Sequence, residues 1–375
     1  MGKMINETIL SQGVLTIHCE HQEFFFDDLL DIAERCNPKR SFLFVSKVLG
    51  KHIPVEPFKM RASYRLLSDQ MPNNMIGGAV VIGMAETAVG LAAGVFHEAK
   101  HKFDRAILLT STRHEMDAKL LCHFKEDHSH ATDHLIHLPQ DAEMFEVVTK
   151  AKTLVLIDDE VTTGNTFKNL MQALLQSKYL RNVEKVFTLT LADWTQEKIQ
   201  TRKVAVESLS LIKGRWLWEA DTHAEAPVMP LVNTTKRGGF PIIGPQTWGR
   251  LGCFESVAIF GNKVESTFGQ KTLVIGTGEF LWLPFLLAER LEDEGEKVLF
   301  GSTTRSPIIE GFAIQSALSF SDNYGQGIPN FIYNIKHQFF DRILLCIETS
   351  EESVDLGFLK ALNKIANTVE VISFE

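Results

Sequence analysis

Along the chain from about residue 41 to residue 192, short continuous apolar runs alternate with longer mixed stretches. Phe42–Ser46, Ala79–Ile82, Ala106–Thr110, Thr153–Ile157 and Lys185–Leu191 read as strands. Strands buried on both faces are apolar throughout rather than alternating. The stretches between them predict helices at Glu86–Glu98, Ala142–Thr149 and Phe167–Ser177, with an earlier helix over Phe25–Arg35. Alternation of this kind predicts an α/β fold with a mostly parallel sheet flanked by helices. A second unit repeats the theme: strands at Lys271–Ile275, Lys297–Gly301 and Arg342–Ile347, helices at Glu279–Glu292 and Asp355–Ala366, and a last strand at Val369–Phe374. Between the units, Glu219 to Leu251 is rich in Pro, Gly and Thr, which resist helix and central strand. Phe240, Ile242, Ile243 and Trp248 within it argue for an ordered connector, because disordered linkers are poor in such residues.

The two units echo each other. Val80-Val81-Ile82-Gly83-Met84-Ala85-Glu86 is similar to Leu273-Val274-Ile275-Gly276-Thr277-Gly278-Glu279. The next strand then ends in Ser111-Thr112-Arg113 in one unit and Thr303-Thr304-Arg305 in the other. A duplicated half-domain predicts one strand order in both. Chance recurrence of a strand–Gly turn predicts no such agreement.

At 375 residues the chain is long enough for two domains. A hydrophobic fraction of 45% and a charged fraction of 23% suit an ordinary globular protein. The net charge of -9 argues against a nucleic-acid-binding surface. No apolar run reaches the ~18 residues of a membrane helix, and Met1 to Ser11 lack the apolar core of a signal peptide. Cys19, Cys36, Cys122, Cys253 and Cys346 are scattered without metal spacing. Together these predict a cytoplasmic protein with reduced thiols.

The chemistry concentrates where one strand ends. Thr153–Ile157 runs into Asp158-Asp159-Glu160-Val161-Thr162-Thr163-Gly164-Asn165-Thr166, and a predicted helix follows. Free backbone N–H groups at a helix start, with Thr hydroxyls beside them, attract an anion. Paired carboxylates suit the vicinal hydroxyls of a sugar. An ordinary helix cap needs one Ser, Thr or Asp, not this string.

Asp-Asp-x-x-Thr-Thr-Gly-x-Thr after an apolar strand resembles the phosphoribosyl-pyrophosphate (PRPP) loop of type I phosphoribosyltransferases, in particular their orotate-type branch. The resemblance implies that Asp158 and Asp159 hold ribose, with a Mg²⁺ ion bound indirectly through the PRPP. It implies that Glu160, Val161, Thr162, Thr163, Gly164, Asn165 and Thr166 cradle the 5′-phosphate. Two residues depart from the family pattern: Glu160 stands where an apolar residue is usual, and Asn165 where Gly is common. Met84, Ala85, Glu86, Thr87 and Ala88 resemble the family's pyrophosphate loop, and Arg113 the basic residue that grips pyrophosphate. Glu86 there would repel pyrophosphate unless a cation lay between, or it would cap the helix that follows. Glu126, His128 and His130 fall where the family has a mobile catalytic loop. A metal site there lacks a recognisable spacing. Lys47, Lys51 and His52 are weakly similar to acceptor contacts in the family's N-terminal hood.

Thr303-Thr304-Arg305-Ser306-Pro307 resembles the tetrapeptide for which the TRSP domain is named. That domain accompanies a phosphoribosyltransferase-like branch associated with bacterial tellurite-resistance and stress gene clusters. The implied organisation is a phosphoribosyltransferase-like domain over 1–215 with its hood at about 1–75, a connector over 216–250, and a smaller Rossmann-like TRSP domain over 251–375. Gly276, Gly278, Glu279, Thr303, Thr304, Arg305 and Ser306 would form a second phosphate site, unless Arg305 pairs with an acid between the domains. The implied activity is transfer of ribose 5-phosphate from PRPP to a base-like nitrogen, in a family whose members often form homodimers. The alternatives are a PRPP sensor without chemistry, or a two-step enzyme whose second step uses the TRSP unit.

Overall fold

The computed structural model describes residues 4–22, 26–35, 40–125, 133–221, 223, 239–244, 248–255 and 260–374. Its first sheet is built on five parallel strands: β1 (Met75–Gly83), β2 (Phe103–Thr110), β3 (Thr153–Ile157), β4 (Lys185–Asp193) and β5 (Ala205–Ala220). They lie in the order β2-β1-β3-β4-β5. An N-terminal hairpin, Met4–Leu10 with Gly13–Gln22, then adds antiparallel to β5. The second sheet is fully parallel, with β6 (Lys271–Gly276), β7 (Lys297–Ser302), β8 (Phe340–Cys346) and β9 (Ala366–Ile372) in the order β7-β6-β8-β9. Numbered within each unit, both begin 2-1-3-4, as a duplicated half-domain requires. Each unit also inserts a hairpin after its second strand, Leu120–Lys125 with Asp133–His137 and Ala317–Ser321 with Pro329–Tyr333.

The two sheets share one hydrophobic core. Tyr64, Leu91 and Val155 from the first unit and Trp282, Phe285, Phe300 and Leu344 from the second lie in one cluster. Helices Pro57–Asp69, Ala88–Ala99 and Trp282–Asp293 form the layer between the sheets. Gly94 lets Tyr64 lie against the Ala88–Ala99 helix, because a Cβ there would overlap the Tyr64 ring. Arg61 straps the layer, bonding both Glu289 carboxylate oxygens at 2.6 Å and Glu98 at 3.2 Å. The outer faces carry separate clusters, one around Leu154, Leu156 and Leu170, the other around Ile343, Phe358 and Leu362.

Three expectations change. The predicted helix over Phe25–Arg35 is one turn, Phe26–Leu29, followed by a strand, Leu30–Glu34. That strand pairs antiparallel with Phe42–Ser46 and buries Leu30, Ile32 and Ala33, so long-range pairing overrides local helix propensity. The stretch from Asn37 to Val55 reads in sequence as strand–turn–strand, but its second strand does not form, and Val55 instead makes an isolated bridge to Phe300 of the second unit. β5 continues to Ala220, so residues 216–220 belong to the sheet rather than to the connector. Two described connector residues dock on the second unit, with Phe240 N donating to Tyr324 O and Ile243 N to Glu348 O. Cys19, Cys122, Cys253 and Cys346 are free thiols. Among the described residues no helix is long and apolar enough to cross a membrane.

Candidate functional site

A cavity of about 190 Å³ opens where β1 and β3 end, beneath the Leu30–Glu34/Phe42–Ser46 hairpin. Its floor is the segment after β3. Backbone bonds to β4 fix the acids: Asp158 N donates to Leu189 O at 3.1 Å, and Asp159 O accepts from Leu191 N at 3.0 Å. Glu160–Val161 forms a short parallel pair with Ala192 and Asp193. Gly164 adopts φ 75°, which few side chains tolerate, and so turns the chain into the Asn165–Gln176 helix. Asp158, Asp159, Glu160, Val161, Thr162, Thr163, Gly164 and Thr166 all line the cavity, and Asn165 does not. Burial first, then the Glu160 charge, pushes the Asp159 carboxyl up to about 6.

Glu160 has a partner the sequence reading did not assign. Arg40 Nη1 donates to Glu160 Oε1 at 2.8 Å, and its guanidinium lies 4.6 Å from the Phe42 ring centroid and 5.4 Å from that of Phe44. The third acid is thereby neutralised against the aromatic wall of the hairpin. Arg35, Arg40, Leu43 and Phe44 line this side of the cavity. The signal for Arg40 was present in two places. Arg40-x-Phe42-x-Phe44 shares one face of a strand, and an unmatched acid in a carboxylate cluster calls for a base.

The opposite wall is the turn after β1. Met84, Ala85, Glu86 and Thr87 line the cavity, whereas Ala88 begins the helix behind them. Met84 N donates to Ile157 O at 3.1 Å and Ala85 N to Ser111 Oγ at 2.8 Å, tying the turn to both neighbouring strands. Thr87, not Glu86, takes the helix N-cap position. Glu86, its side chain 9% exposed, pairs with Lys51 at 2.6 Å. Burial raises its carboxyl, but Lys51 and Arg305 outweigh that and hold it below the usual range, hence ionised. The cation that such an acid requires is thus Lys51.

This gives Lys51 a different place from the acceptor contact expected. Its ammonium is buried and also donates to Gly278 O at 3.2 Å and Thr303 O at 2.7 Å, so it is saturated behind the wall. Lys47 also lies outside the cavity, donating to Asp27 O at 2.6 Å. His52 does line the cavity, and its buried Nε2 has no protein partner. Burial, reinforced by the Lys51 charge, pushes its imidazole down to about 3 and keeps it neutral.

Arg113 lines the cavity beside the same turn, with Nη2 3.4 Å from Ala85 O. A second-unit acid fixes its backbone. Glu279 accepts from Arg113 N at 2.8 Å and from Thr112 Oγ1 at 2.6 Å. Glu279 also accepts from Arg250 Nε at 3.0 Å, and Arg250 makes two 2.7 Å bonds to Glu348. Burial alone would raise the Glu279 carboxyl, but His114, Arg250 and these donors hold it well below the usual range. His134 lines the cavity with Nδ1 2.9 Å from Ser111 Oγ. Glu126, His128 and His130 lie outside the described residues.

Among the described residues, those expected to form a second phosphate site are divided. Thr304, Arg305 and Ser306 line the first unit's cavity, while Gly276, Gly278, Glu279 and Thr303 lie outside it. That division depends on how the units dock, and no local pattern reports it. Next to Arg250, Glu279 and Glu348 only a small space of about 30 Å³ remains.

Residues 29–215 match a family model described as phosphoribosyl transferase. Residues 251–362 match one described as a TRSP domain lying C-terminal to that transferase. No curated protein matches the chain. Among solved structures, an adenine phosphoribosyltransferase from Rhodothermus marinus is 16% identical, covering 49% of this chain and 94% of its own, with a TM-score of 0.32. An adenine phosphoribosyltransferase from Trypanosoma brucei is 13% identical, covering 52% of this chain and 82% of its own, with a TM-score of 0.34. A hypoxanthine phosphoribosyltransferase from Staphylococcus aureus is 13% identical, covering 44% and 79%, with a TM-score of 0.25.

Proposed function

We propose that this chain, whose residues 29–215 belong to the phosphoribosyltransferase family and whose residues 251–362 form a TRSP domain, transfers ribose 5-phosphate from PRPP to a base-like nitrogen acceptor and releases pyrophosphate. One observation carries the reading: the acids after β3, the Thr162–Thr166 loop, the Met84–Thr87 turn and Arg113 converge on a single cavity. The loop N–H groups and Thr hydroxyls hold the 5′-phosphate. Asp158 and Asp159 accept from the ribose hydroxyls and sit beside the positive charge that develops on the sugar. Arg113 and the turn backbone receive the negative charge that grows on the leaving group. The Arg40-lined hairpin faces the acceptor, and neutral His52 offers it a hydrogen-bonding nitrogen. The segment around Glu126, His128 and His130 is read as the lid that excludes water, whose attack on PRPP is the competing reaction.

The residues present fit Mg²⁺. It binds through one or two carboxylates plus substrate phosphates while keeping several waters. Asp158 and Asp159 supply oxygens that would hold the ion indirectly, through the ribose and diphosphate of Mg-PRPP, whereas Glu160 is tied to Arg40. Among the described residues no cluster of three or more ligating side chains could hold a metal alone. When bound with PRPP, the ion would neutralise diphosphate charge. The product is read as a nucleotide-like metabolite made in the cytoplasm, and the TRSP resemblance links it to stress or tellurite resistance.

The test is pyrophosphate release from Mg-PRPP over a panel of purine, pyrimidine and other nitrogen heterocycles. Release with at least one base is expected. Asp158→Asn with Asp159→Asn should lower it by about 10²- to 10³-fold while leaving the circular dichroism spectrum unchanged. Undiminished release in that double variant would overturn the assignment. PRPP binding with no release for any base would favour the sensor reading.

A further inference from the structure

The two units repeat each other beyond strand order. Ser111 N donates to Gly83 O at 2.9 Å in the first, and Thr303 N to Gly276 O at 3.0 Å in the second. Thr112 bridges Leu135 of the first inserted hairpin, and Thr304 bridges Phe331 of the second. Arg305 is therefore the positional counterpart of Arg113, and Glu279 that of Glu86. The acids reach across the domain boundary in opposite directions. Glu279 holds the Thr112–Arg113 strand end, and Glu86 faces Arg305, with Arg305 Nε 3.9 Å from Glu86 Oε2.

Among the described residues, side chains occupy the corresponding place in the second unit. Tyr324 lies against Gly278 and donates to Glu348 at 2.6 Å, and Arg250 fills the space between Glu348 and Glu279. Arg305 instead faces the first unit's cavity, oriented by a 2.9 Å bond from Nη2 to Gln326 Oε1. Two guanidiniums from two domains thus flank one turn: Arg113 at Ala85 O and Arg305 at Glu86.

We infer that the TRSP domain completes the first domain's site, and that Arg305 is a catalytic residue gripping the diphosphate leaving group opposite Arg113. The inference rests on the PRPP reading. A planar guanidinium can give two aligned donors to diphosphate oxygens. Lys51 keeps Glu86 neutralised in its place, so Arg305 is not needed as its sole counter-charge.

Calorimetric titration with magnesium pyrophosphate, Mg-PRPP and ribose 5-phosphate tests this on the full chain. Arg305→Gln should weaken pyrophosphate about 10- to 100-fold, the worth of a charge-assisted bond, and leave ribose 5-phosphate within about twofold. Arg305→Lys should recover only part of the loss, since an ammonium is a point charge. If Arg305→Gln fails to fold, Arg305→Lys alone answers the question: pyrophosphate weaker by about tenfold with ribose 5-phosphate intact supports the role. Equal loss of both ligands would make Arg305 merely structural and overturn the inference. So would unchanged pyrophosphate affinity alongside normal PRPP binding by the wild type. Wild-type protein that binds neither PRPP nor pyrophosphate would overturn the PRPP reading and this inference together.

Discussion

Two strand ends occupy equivalent places in the two units and do opposite things. After β3, Asp158 and Asp159 face an open cavity, and the chain turns through Gly164 into a long helix. After β8, Glu348 stands at the position of Asp159 but is consumed by Arg250 and Tyr324. The segment that follows carries Glu351 and Glu352 and leads only into the short Leu356–Leu362 helix. One scaffold therefore opens onto a polar cavity in one unit and is filled with an internal ion pair in the other. A strand-end carboxylate has no fixed meaning: what faces it decides whether it binds a ligand or holds the fold.

The largest expected effect sets these two positions against each other. Asp158→Asn with Asp159→Asn should lower turnover about 10²- to 10³-fold at little cost in stability. Glu348→Ala should do the reverse. It leaves Arg250 buried with one partner lost, which costs about 3 kcal/mol and should appear as a lowered melting temperature. Ribose 5-phosphate affinity in the folded fraction should be retained. Equal melting temperatures for Glu348→Ala and wild type would show that the second unit is not sealed by this pair.

A smaller effect comes from pH. Asp159 is pushed up to about 6 by burial and the Glu160 charge. A carboxyl whose folded pKa lies above its unfolded value opposes folding while ionised, so acidification through 6 relieves the empty protein. PRPP binding uses the ionised form and weakens over the same range, about tenfold per unit below 6. Titrations from pH 5 to 8 should bend near 6, and Asp159→Asn should reduce the bend to the part set by the ligand's own phosphate, which titrates at about 6. His52, pushed down to about 3, cannot produce it. A bend equally steep in Asp159→Asn and wild type would assign the titration elsewhere.

The smallest effect concerns the hairpin. Arg40→Ala removes the Glu160 pair and the contacts with Phe42 and Phe44. Partial exposure limits the stability loss to about 1 kcal/mol. The acceptor KM should rise several-fold, with kcat/KM for PRPP within about twofold. A loss confined to PRPP would move Arg40 from the acceptor side to the donor side.

Much of this arrangement could be read before folding. Buried parallel strands are continuous apolar runs, so β1 to β4 and β6 to β8 stand out. The acids and Thr-Gly loop sit at the end of the clearest of them. The helix Pro57–Asp69 also carries a readable signal, since Met60, Tyr64 and Leu67 have helical spacing. Other features depend on distant partners. Leu30–Glu34 is a strand only because Phe42–Ser46 lies beside it, and β5 is long because the N-terminal hairpin joins it. The separation of Lys51 from His52, neighbours in sequence, follows from docking. One is saturated by second-domain carbonyls and the other faces the cavity.

The shared apolar layer has a consequence for how such a molecule can be divided. A gene fragment encoding either half alone would produce a chain with an open face where Tyr64, Trp282 and Phe285 now meet. An exposed patch of that kind invites aggregation. Covalent linkage has made the two halves inseparable tenants of a single interior, so they should melt in one cooperative calorimetric transition, and neither can be shuffled onto another protein as an independent module.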